Sequence, residues 1–452
     1  MAFDPQAYRP ERNILSLGDA FYDRVTAANF PETRLRFRND RAAAEVGLAG
    51  LDDAEWVRHF GRFVPLPGSL EQPLALRYHG HQFRTYNPDL GDGRGFTFAQ
   101  LRDDRARLMD LGTKGSGQTP WSRFGDGRLT LKGGVREVLA SEMLEALGVP
   151  TSRSFSLIET GEELERNDEP SPTRSAVLVR LSHGHIRIGT FQRLAYLRDE
   201  DGLRRLTAYV LRDLYGEDSD DPVRLLSLVV ERTARLAARY MAAGFVHGVL
   251  NSDNINVTGE SFDYGPWRFA PTWEPAFVAA YFDQTGLYAF GRQPEAIHWD
   301  AMQLAVALRP LVEAEPLIAE LDRFPAHYQP AVTDAILWRL GRRPRSAEED
   351  RATVQEVERA LRTTGVGIDR FFFDAFAQRL PESYGAEWDA ARALLDRHAP
   401  RKPRDHAYWN GAPRSMLIEE VEAIWSAIAQ ADDWAPFHDA LAHIRAMAVA
   451  LA

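Results

Sequence analysis

The order in which β-type and helical patterns follow one another is the feature that most constrains the fold of this 452-residue chain. Between residue 77 and about residue 190, short β-type runs alternate with glycine-rich turns, and the runs are 96–101, 107–112, 155–160 and 176–181. One helical pattern interrupts them at 134–150 and ends in the stop signal Gly148 and Pro150. Helix-like patterns follow from residue 193 onward, at 203–216, 223–243, 296–322, 331–340, 351–362, 385–397 and 415–450. This order predicts an α+β fold with a small stranded lobe and a larger helical lobe.

The same patterns predict how the chain is divided. The expected parts are an N-terminal extension packed on the core, a β-rich lobe, a helical lobe and a C-terminal helical region, at residues 1–75, 76–192, 193–400 and 401–452. A stranded lobe followed by a helical lobe is the order of a protein-kinase-like bilobal fold. The polar string 161–174 is expected to be a solvated loop.

Composition excludes several classes of function. The net charge of −11 argues against bulk binding to nucleic acid or to an anionic membrane. No apolar run approaches the length of a membrane span, and the N-terminus lacks the apolar region of a signal peptide. The chain has no cysteine, which removes disulfides, thiolate catalysis and cysteine-ligated zinc. A bacterial cytoplasmic protein is expected.

The stretch HGVLNSDNINVTGESFDYG, residues 247–265, is similar to the catalytic segment of protein kinases. Aligned on His247, Asn254 matches the metal-binding Asn and Asp263 matches the Asp of Asp-Phe-Gly. Val249, however, stands where a kinase has its catalytic Asp. The neighbouring Asp253 is a carboxylate that could accept a proton from a hydroxyl nucleophile. Asn254 and Asp263 offer oxygen ligands suited to Mg²⁺ or Mn²⁺.

A second motif, DLGDGRG at 89–95, has the pattern of a phosphate-binding turn. Gly91, Gly93 and Gly95 permit a tight turn and a close approach of backbone N–H groups to an anion, although an ordinary hairpin turn has the same composition. The stretch between this motif and Lys114 is long enough for two strands and a turn. No Walker motif is present. A glycine turn, a hairpin and then a lysine form the nucleotide lid of kinases.

A lysine in that place needs an acidic partner on the following helix, and two glutamates compete for Lys114. On a helical wheel, Glu142 falls within the apolar face and Glu137 lies nearly opposite. The wheel alone therefore favours Glu142 as the buried, paired carboxylate. The other glutamate is expected to be solvated.

Two arginines and two histidines mark the stretch RLSHGHIR at 180–187. Arg180 and Arg187 flank a small loop and could grip a polyphosphate, although two surface arginines would have the same spacing. His183 and His185 lack acidic or cysteine partners at ligand spacing, so zinc is not expected.

Taken together, NPDLGDGRG, LGTKGSGQTPWSRFGDGRLTLKGGVREVLASEMLEALGVPTSRS, HGVLNSDN and FDYGPW resemble the selenoprotein O family, whose bacterial members are called YdiU. The motifs span about residues 75 to 270. The resemblance implies a kinase-like fold that acts as a protein adenylyltransferase. It further implies that ATP binds flipped, that AMP passes to Ser, Thr or Tyr hydroxyls of target proteins, and that pyrophosphate leaves with a divalent metal present.

The resemblance also implies roles for individual residues. Asp253 would accept the proton, Asn254 and Asp263 would hold the metal, and Glu137 rather than Glu142 would pair with the lysine. The nucleotide contacts would be Gly91, Gly93, Arg94, Lys114, Asp126, Gly127, Arg180, Arg187 and Asp263. Eukaryotic members of the family carry a selenocysteine near the C-terminus, and several bacterial members carry a cysteine there. This sequence has neither, so redox control through such a residue is not expected.

Two other functions remain open on the sequence. One is ordinary phosphoryl transfer, with Asp253 as a relocated base, against which Val249 counts. The other is a non-catalytic scaffold that binds nucleotide, against which the retention of Lys114, Asn254 and Asp263 counts.

Overall fold

The computed structural model describes residue 4, residues 6–167 and residues 169–452. It has a mixed α+β architecture with one large antiparallel sheet, as the order of patterns predicts. The strands are β1 (Pro10–Glu11), β2 (Tyr22–Arg24), β3 (Arg34–Arg38), β4 (Leu74–Leu76), β5 (Gly80–Gln82), β6 (Thr85–Asn87), β7 (Thr97–Arg102), β8 (Leu108–Lys114), β9 (Leu129–Thr130), β10 (Arg153–Leu164), β11 (Thr173–Ser182), β12 (Phe245–Val246) and β13 (Arg268–Phe269).

The helices begin early in the chain but dominate only after the last strand of the large sheet. They are α1 (Asp40–Glu45), α2 (Asp53–Phe60), α3 (Leu131–Ala146), α4 (Ile188–Tyr196), α5 (Glu200–Tyr209), α6 (Pro222–Ala243), α7 (Gln293–Leu308), α8 (Ala314–Leu321), α9 (Phe324–Arg339), α10 (Ala347–Thr364), α11 (Ile368–Ala375), α12 (Asp389–Leu395), α13 (Ile418–Ala431) and α14 (Ala435–Leu451).

The large sheet runs in the order β2-β4-β7-β8-β11-β10-β3, with β1 added to β7 and β9 added to β11. The four longest strands, β7, β8, β10 and β11, are the four β-type runs predicted from the sequence. In the register of β8 with β11, Lys114 lies opposite Leu178 and Gly112 lies opposite Arg180. The antiparallel pairing thus brings Lys114 and Arg180 to the same part of the sheet, although they are far apart in the chain.

Each face of the sheet is covered by its own apolar core. Side chains alternate between faces along a strand, so Val177 and Val179 of β11 enter one core while Leu178 enters the other. The first core is closed by α1 and α2, which place Trp56 against Phe155 of β10. The N-terminal residues therefore supply both strands and covering helices to the sheet.

The second core joins the sheet to the helices. It includes most of the apolar face of α3 and of α6, the longest helix. Helix α3 begins after the capping Thr130 and ends before Gly148, whose φ is +75°. Helix α6 ends at Ala243 with Gly244 as its cap at φ +69°, which agrees with the predicted bound at residue 243.

Some predicted elements have different bounds. The pattern at 296–322 is two helices, α7 and α8, because Pro310 lies between them and cannot continue a helix. The pattern at 415–450 is likewise two helices, with Asp432 at φ +49° between α13 and α14. The predicted loop at 161–174 is shorter, since β10 continues to Leu164 and β11 starts at Thr173. None of the described helices is long and apolar enough to cross a bilayer.

Candidate active site

A cavity of about 760 Å³ opens between the central strands β8 and β11 and residues 247–265, which lie between α6 and α7 and are called the catalytic-type segment below. Its walls come from the glycine turn before β7, the end of β8, the loop before β9, β11 and the catalytic-type segment. All of the predicted site residues except Glu137 line it, namely Gly91, Gly93, Arg94, Lys114, Asp126, Gly127, Arg180, Arg187, Asp253, Asn254 and Asp263.

Lys114 is the last residue of β8, and its ammonium group donates to the carboxylate of Glu137 on α3. Both side chains are buried. Burial lowers the pKa of Lys114, and the negative charge of Glu137 opposes that shift. The ammonium nitrogen also lies 3.9 Å from Oδ1 of Asp263. The lysine therefore stands between the carboxylate of α3 and the cavity.

Glu142, the alternative partner from the helical wheel, faces away from Lys114. Its carboxylate accepts hydrogen bonds from Asn39, Arg41 and Arg445. The expectation that one of the two glutamates is solvated is wrong, because both side chains are almost fully buried. A helical wheel assumes one buried face and one solvated face. Helix α3 is buried on both sides, so a buried carboxylate with its own polar partner lies on each side, which a wheel cannot predict.

Asp263 projects into the cavity from a left-handed backbone conformation with φ +60°. Its two oxygens accept hydrogen bonds from Arg180 at 2.5 Å and Arg187 at 2.6 Å. Burial alone would raise the pKa of Asp263, but the charges of Arg180, Arg187 and Lys114 hold it well below the usual value. The three cations therefore favour the ionised form of Asp263.

His247 holds the backbone just before Asp263 in place. Its Nε2 lies 2.9 Å from the carbonyl oxygen of Phe262, the residue before Asp263. Its backbone N–H donates to Gln293 at the start of α7. The histidine of the motif thus links the two halves of the catalytic-type segment, and it is buried away from the cavity.

Arg187 connects Asp263 with the rest of the segment. It donates to the backbone carbonyl of Asp253 at 2.9 Å and to Asp92 of the glycine turn at 3.2 Å. Its guanidinium lies 4.3 Å from the ring centroid of Tyr78. Asp92 and Tyr78 also belong to the site, although the sequence patterns did not predict them. Asp92 could have been predicted from its place inside the glycine motif at 89–95.

Asp253 is 7% exposed and lies in a short 3₁₀ turn, Ser252–Asn254. Its Oδ1 has no hydrogen-bond partner. Burial raises the pKa of Asp253 to about 6, with the nearby Arg187 opposing the shift. The raised pKa suits a group that takes up a proton near neutral pH.

Gly80 makes room for Asp253, because a Cβ at Gly80 would lie 2.8 Å from the Cβ of Asp253. Gly189 allows the backbone before β5 to approach, because a Cβ there would lie 2.1 Å from the carbonyl oxygen of His79. The β5–β6 hairpin is therefore pressed directly onto the catalytic-type segment. It also donates backbone N–H groups, from His81 to Ser252 at 2.7 Å and from Phe83 to Asn251 at 3.1 Å.

Asn254 donates from its amide nitrogen to the carbonyl of Val249 at 3.0 Å. The amide nitrogen is thereby used within the segment, and the amide oxygen is the atom that remains for a ligand. Val249 itself lines the cavity and brings no carboxylate there.

The glycines of the 89–95 turn are required by close packing. None of them has a left-handed φ. A Cβ at Gly91 would lie 2.4 Å from the ring of Trp121, and a Cβ at Gly93 would lie 2.9 Å from the carbonyl oxygen of Trp121. A Cβ at Gly95 would lie 2.1 Å from the carbonyl oxygen of Thr113. The turn is thus pressed against the loop before β9. In that loop, Gly127 has φ +70° and Asp126 pairs with Arg166 at 2.8 Å.

His79 and His81, which lie on either side of Gly80, contact neighbouring side chains. His79 contacts Tyr86, and His81 contacts Gln192. Within the described parts of the chain, the one group of acidic or histidine side chains close enough to share an ion is Glu45, Asp103 and Asp104, and it does not line the cavity.

Comparison with known proteins identifies the family of the chain. The model of a family described as "Protein adenylyltransferase SelO" matches residues 6–410. The chain belongs to this family. It is 43% identical to "Protein nucleotidyltransferase YdiU" of Synechocystis sp., covering 95% of this chain and 96% of the relative. The protein of that name from Gloeobacter violaceus is also 43% identical, over 96% and 94%. The one from Pseudomonas aeruginosa is 37% identical, over 91% and 82%.

The SelO family is one of protein adenylyltransferases, so the predicted family and enzyme class, a nucleotidyltransferase, are confirmed. The matched span contains every residue of the cavity described above. A nucleotidyltransferase of this kind uses ATP and a divalent metal.

Proposed function

We propose that this SelO-family chain transfers AMP from ATP to Ser, Thr or Tyr hydroxyls of target proteins. The observation that carries the proposal is the cluster of Lys114, Arg180 and Arg187 around Asp263, in the same cavity as Asp253. Three buried cations suit the charge of a polyphosphate, and an ionised carboxylate beside an amide oxygen suits a divalent metal. A nearby carboxylate with a raised pKa suits proton removal from an alcohol.

In the proposed reaction, the acceptor hydroxyl oxygen forms a bond to the α-phosphorus of ATP. The bond from that phosphorus to the bridging oxygen breaks, and pyrophosphate leaves. The hydroxyl proton passes to Asp253. Lys114, Arg180 and Arg187 would offset the charge that builds up on the departing group. Gly91, Gly93, Arg94, Asp126 and Gly127 would form the remaining walls around the nucleotide.

The donor set fits a hard divalent cation. Asp263 is held ionised by its neighbours, and Asn254 keeps its amide oxygen for a ligand. Both atoms are oxygens, which Mg²⁺ and Mn²⁺ prefer. When bound, the metal supplies positive charge to the phosphates. Glu137 would act through Lys114, whose position it determines.

Val249 supports transfer of AMP over transfer of the γ-phosphoryl group. A kinase places its base at that position, where the acceptor meets the γ-phosphate. Here the carboxylate lies at Asp253 instead. We therefore propose that ATP binds flipped, with its α-phosphate toward Asp253, and that the base has moved with it.

We also propose a protein-kinase-like bilobal fold for this architecture, with the division 1–75, 76–192, 193–400 and 401–452. Its support is that the large sheet ends at Ser182, the helices dominate from Ile188, and the cavity draws residues from both parts. The expected setting is the bacterial cytoplasm, with ATP and target proteins as partners and neither nucleic acid nor membrane among them.

The experiment uses ATP labelled at either the α- or the γ-phosphate. The purified chain is incubated with each label, with Mg²⁺ or Mn²⁺, and with a bacterial lysate, beside Asp263→Ala. The matched control is Asp218→Ala, which removes an exposed aspartate in the loop before α6. We expect protein label from the α-phosphate alone, lost in Asp263→Ala and retained in Asp218→Ala.

Protein label from the γ-phosphate alone would make the chain a kinase with a relocated base and would overturn the proposal. Label from the α-phosphate that survives in Asp263→Ala would overturn the role of Asp263 while leaving AMP transfer in place.

A further inference from the structure

Glu142 has no part in the proposed reaction, yet its carboxylate accepts four hydrogen bonds. Its side chain is 2% exposed. Arg445 donates to it twice, from Nε to Oε2 at 2.9 Å and from Nη2 to Oε1 at 3.0 Å. Arg41 adds a bond at 3.0 Å and Asn39 one at 3.3 Å. A buried carboxylate with a two-pronged arginine partner holds its neighbours in a definite geometry.

Arg445 comes from the C-terminal hairpin, which we define as α13 and α14, residues 418–451. Arg445 is the only lysine or arginine of that hairpin. Both helices of the hairpin pack against α3, and their apolar side chains share a core with those of α3. The one arginine of the hairpin therefore meets the buried carboxylate on the far side of α3.

Further contacts fasten the hairpin to the sheet and to the start of α3. Lys132 donates to Glu422 at 2.8 Å. At the turn between the two helices, Asp432 accepts from Arg174 at 2.7 Å and from Arg36 at 3.2 Å. The hairpin thus rests on both the strands and the helix that carry the site.

Helix α3 lies between the hairpin and the cavity. Glu137 and Glu142 are separated by roughly 140° around the helix, as 3.6 residues per turn requires. Glu137 contacts Lys114, and Glu142 contacts Arg445. Because α3 is one continuous helix, a rotation or shift of it moves both carboxylates together.

We propose that Arg445 is a positioning residue: through Glu142 it holds α3 in the orientation in which Glu137 pairs with Lys114, so that the C-terminal hairpin completes the nucleotide site from outside the cavity. The inference rests on the proposed function for its link to AMP transfer. Its structural content, a coupling between the hairpin and the nucleotide site, is tested by ATP binding alone.

The test measures the dissociation constant of labelled ATP by equilibrium dialysis with Mg²⁺, using the full chain. The variants are Arg445→Ala, Arg445→Lys, Glu142→Gln and Glu137→Gln, together with the double variant Arg445→Ala/Glu137→Gln. The matched control is Arg224→Ala, because Arg224 forms a similar two-pronged pair with Glu217, at 2.8 and 2.6 Å, far from α3. Urea unfolding of each variant is recorded in parallel.

We expect Arg445→Ala and Glu142→Gln to weaken ATP binding by about tenfold, and Arg445→Lys to recover part of that loss. Arg224→Ala should bind ATP as the parent does. In the Glu137→Gln background, Arg445→Ala should add less than a twofold further loss, because its effect passes through Glu137. Glu142→Gln keeps the shape of the side chain, so it serves if Arg445→Ala does not fold.

Two results would overturn the inference. One is parental ATP affinity in both Arg445→Ala and Glu142→Gln. The other is a loss from Arg445→Ala that adds in full to that of Glu137→Gln, which would indicate a general effect on stability. Failure of AMP transfer in the parent is a separate result: it would count against the proposed function, while the dialysis would still report the coupling.

Discussion

Asp253 and Asp263 line the same cavity, yet their surroundings move their pKa values in opposite directions. Asp263 faces three cations and stays ionised, whereas Asp253 is buried with one oxygen unpaired, and burial raises its pKa to about 6. Two carboxylates with separated pKa values can take different roles, one as a permanent anion and the other as a proton acceptor.

The pH dependence of AMP transfer should follow Asp253. Below pH 6 this group is protonated and cannot accept the proton of the hydroxyl, so kcat/KM should fall about tenfold per pH unit and level off above pH 7. Rates between pH 5 and 8 at saturating metal measure this. Asp253→Asn should lower kcat by about 10²–10⁴-fold and remove the acid limb. An unchanged acid limb in Asp253→Asn would assign the titration to another group.

Gly80 should be needed for activity without touching the nucleotide, since a Cβ there overlaps the side chain of Asp253. We expect Gly80→Ala to lower kcat by about 100-fold, the size of effect that a small misplacement of a reacting group produces. ATP affinity should be nearly unchanged. The control is Gly411→Ala, where the new methyl group would lie 3.6 Å from its nearest neighbour. Equal kcat in the two variants would remove the assigned role of Gly80.

The secondary-structure elements show where local patterns are sufficient. Strands β7, β8, β10 and β11 and helix α6 follow from runs of buried residues and a glycine stop, both of which are local signals. The prediction of one continuous helical pattern at 296–322, and of another at 415–450, was wrong. In both regions the apolar spacing continues across the break between two helices, at Pro310 and at Asp432. The contacts of Gly80 with Asp253 and of Glu142 with Arg445 join distant segments, so no spacing in the sequence could indicate them.

A substitution in helix α2 can test whether the N-terminal residues are an integral part of the folded sheet. Trp56 is fully buried, stacks on Phe155 at 4.9 Å between ring centroids, and donates to Ser156 at 2.9 Å. Trp56→Ala should lower the free energy of unfolding by about 3–5 kcal/mol, as large-to-small changes in a core do. Urea denaturation measures it, with Val306→Ala, an exposed position on α7, as control. A loss below about 1 kcal/mol would mean that α2 is loosely attached.

At the scale of the whole molecule, the cavity draws on both the sheet and the helical part. Lys114 and Arg180 belong to the sheet, and Asp253 and Asp263 belong to the segment between α6 and α7. Arg187, just before α4, contacts both Asp263 and Asp92 and so joins the two sides. A nucleotide bound there would contact both parts and would therefore stabilise the folded chain as one unit.

Binding of ATP with Mg²⁺ should accordingly raise the unfolding temperature in a single cooperative step. At an ATP concentration of 100 times its Kd, the added stability is about 2.7 kcal/mol, which corresponds to a rise of several degrees. Without Mg²⁺ the rise should be smaller, because the charges of the phosphates are then opposed by Lys114, Arg180 and Arg187 alone. Differential scanning calorimetry measures both.

The Asp263→Ala variant separates the contribution of the metal to thermal stabilisation from the contribution of the other ATP contacts. The variant removes the charged metal ligand and leaves the three cations in place, so ATP should stabilise it equally with and without Mg²⁺. The parent should keep the difference between the two conditions. If Mg²⁺ still adds stability in Asp263→Ala, the metal is held by other atoms and Asp263 acts only as the partner of Arg180 and Arg187. If ATP shifts one of two separate transitions, the cavity does not bind the sheet and the helices together, and the coupling through Arg187 is absent.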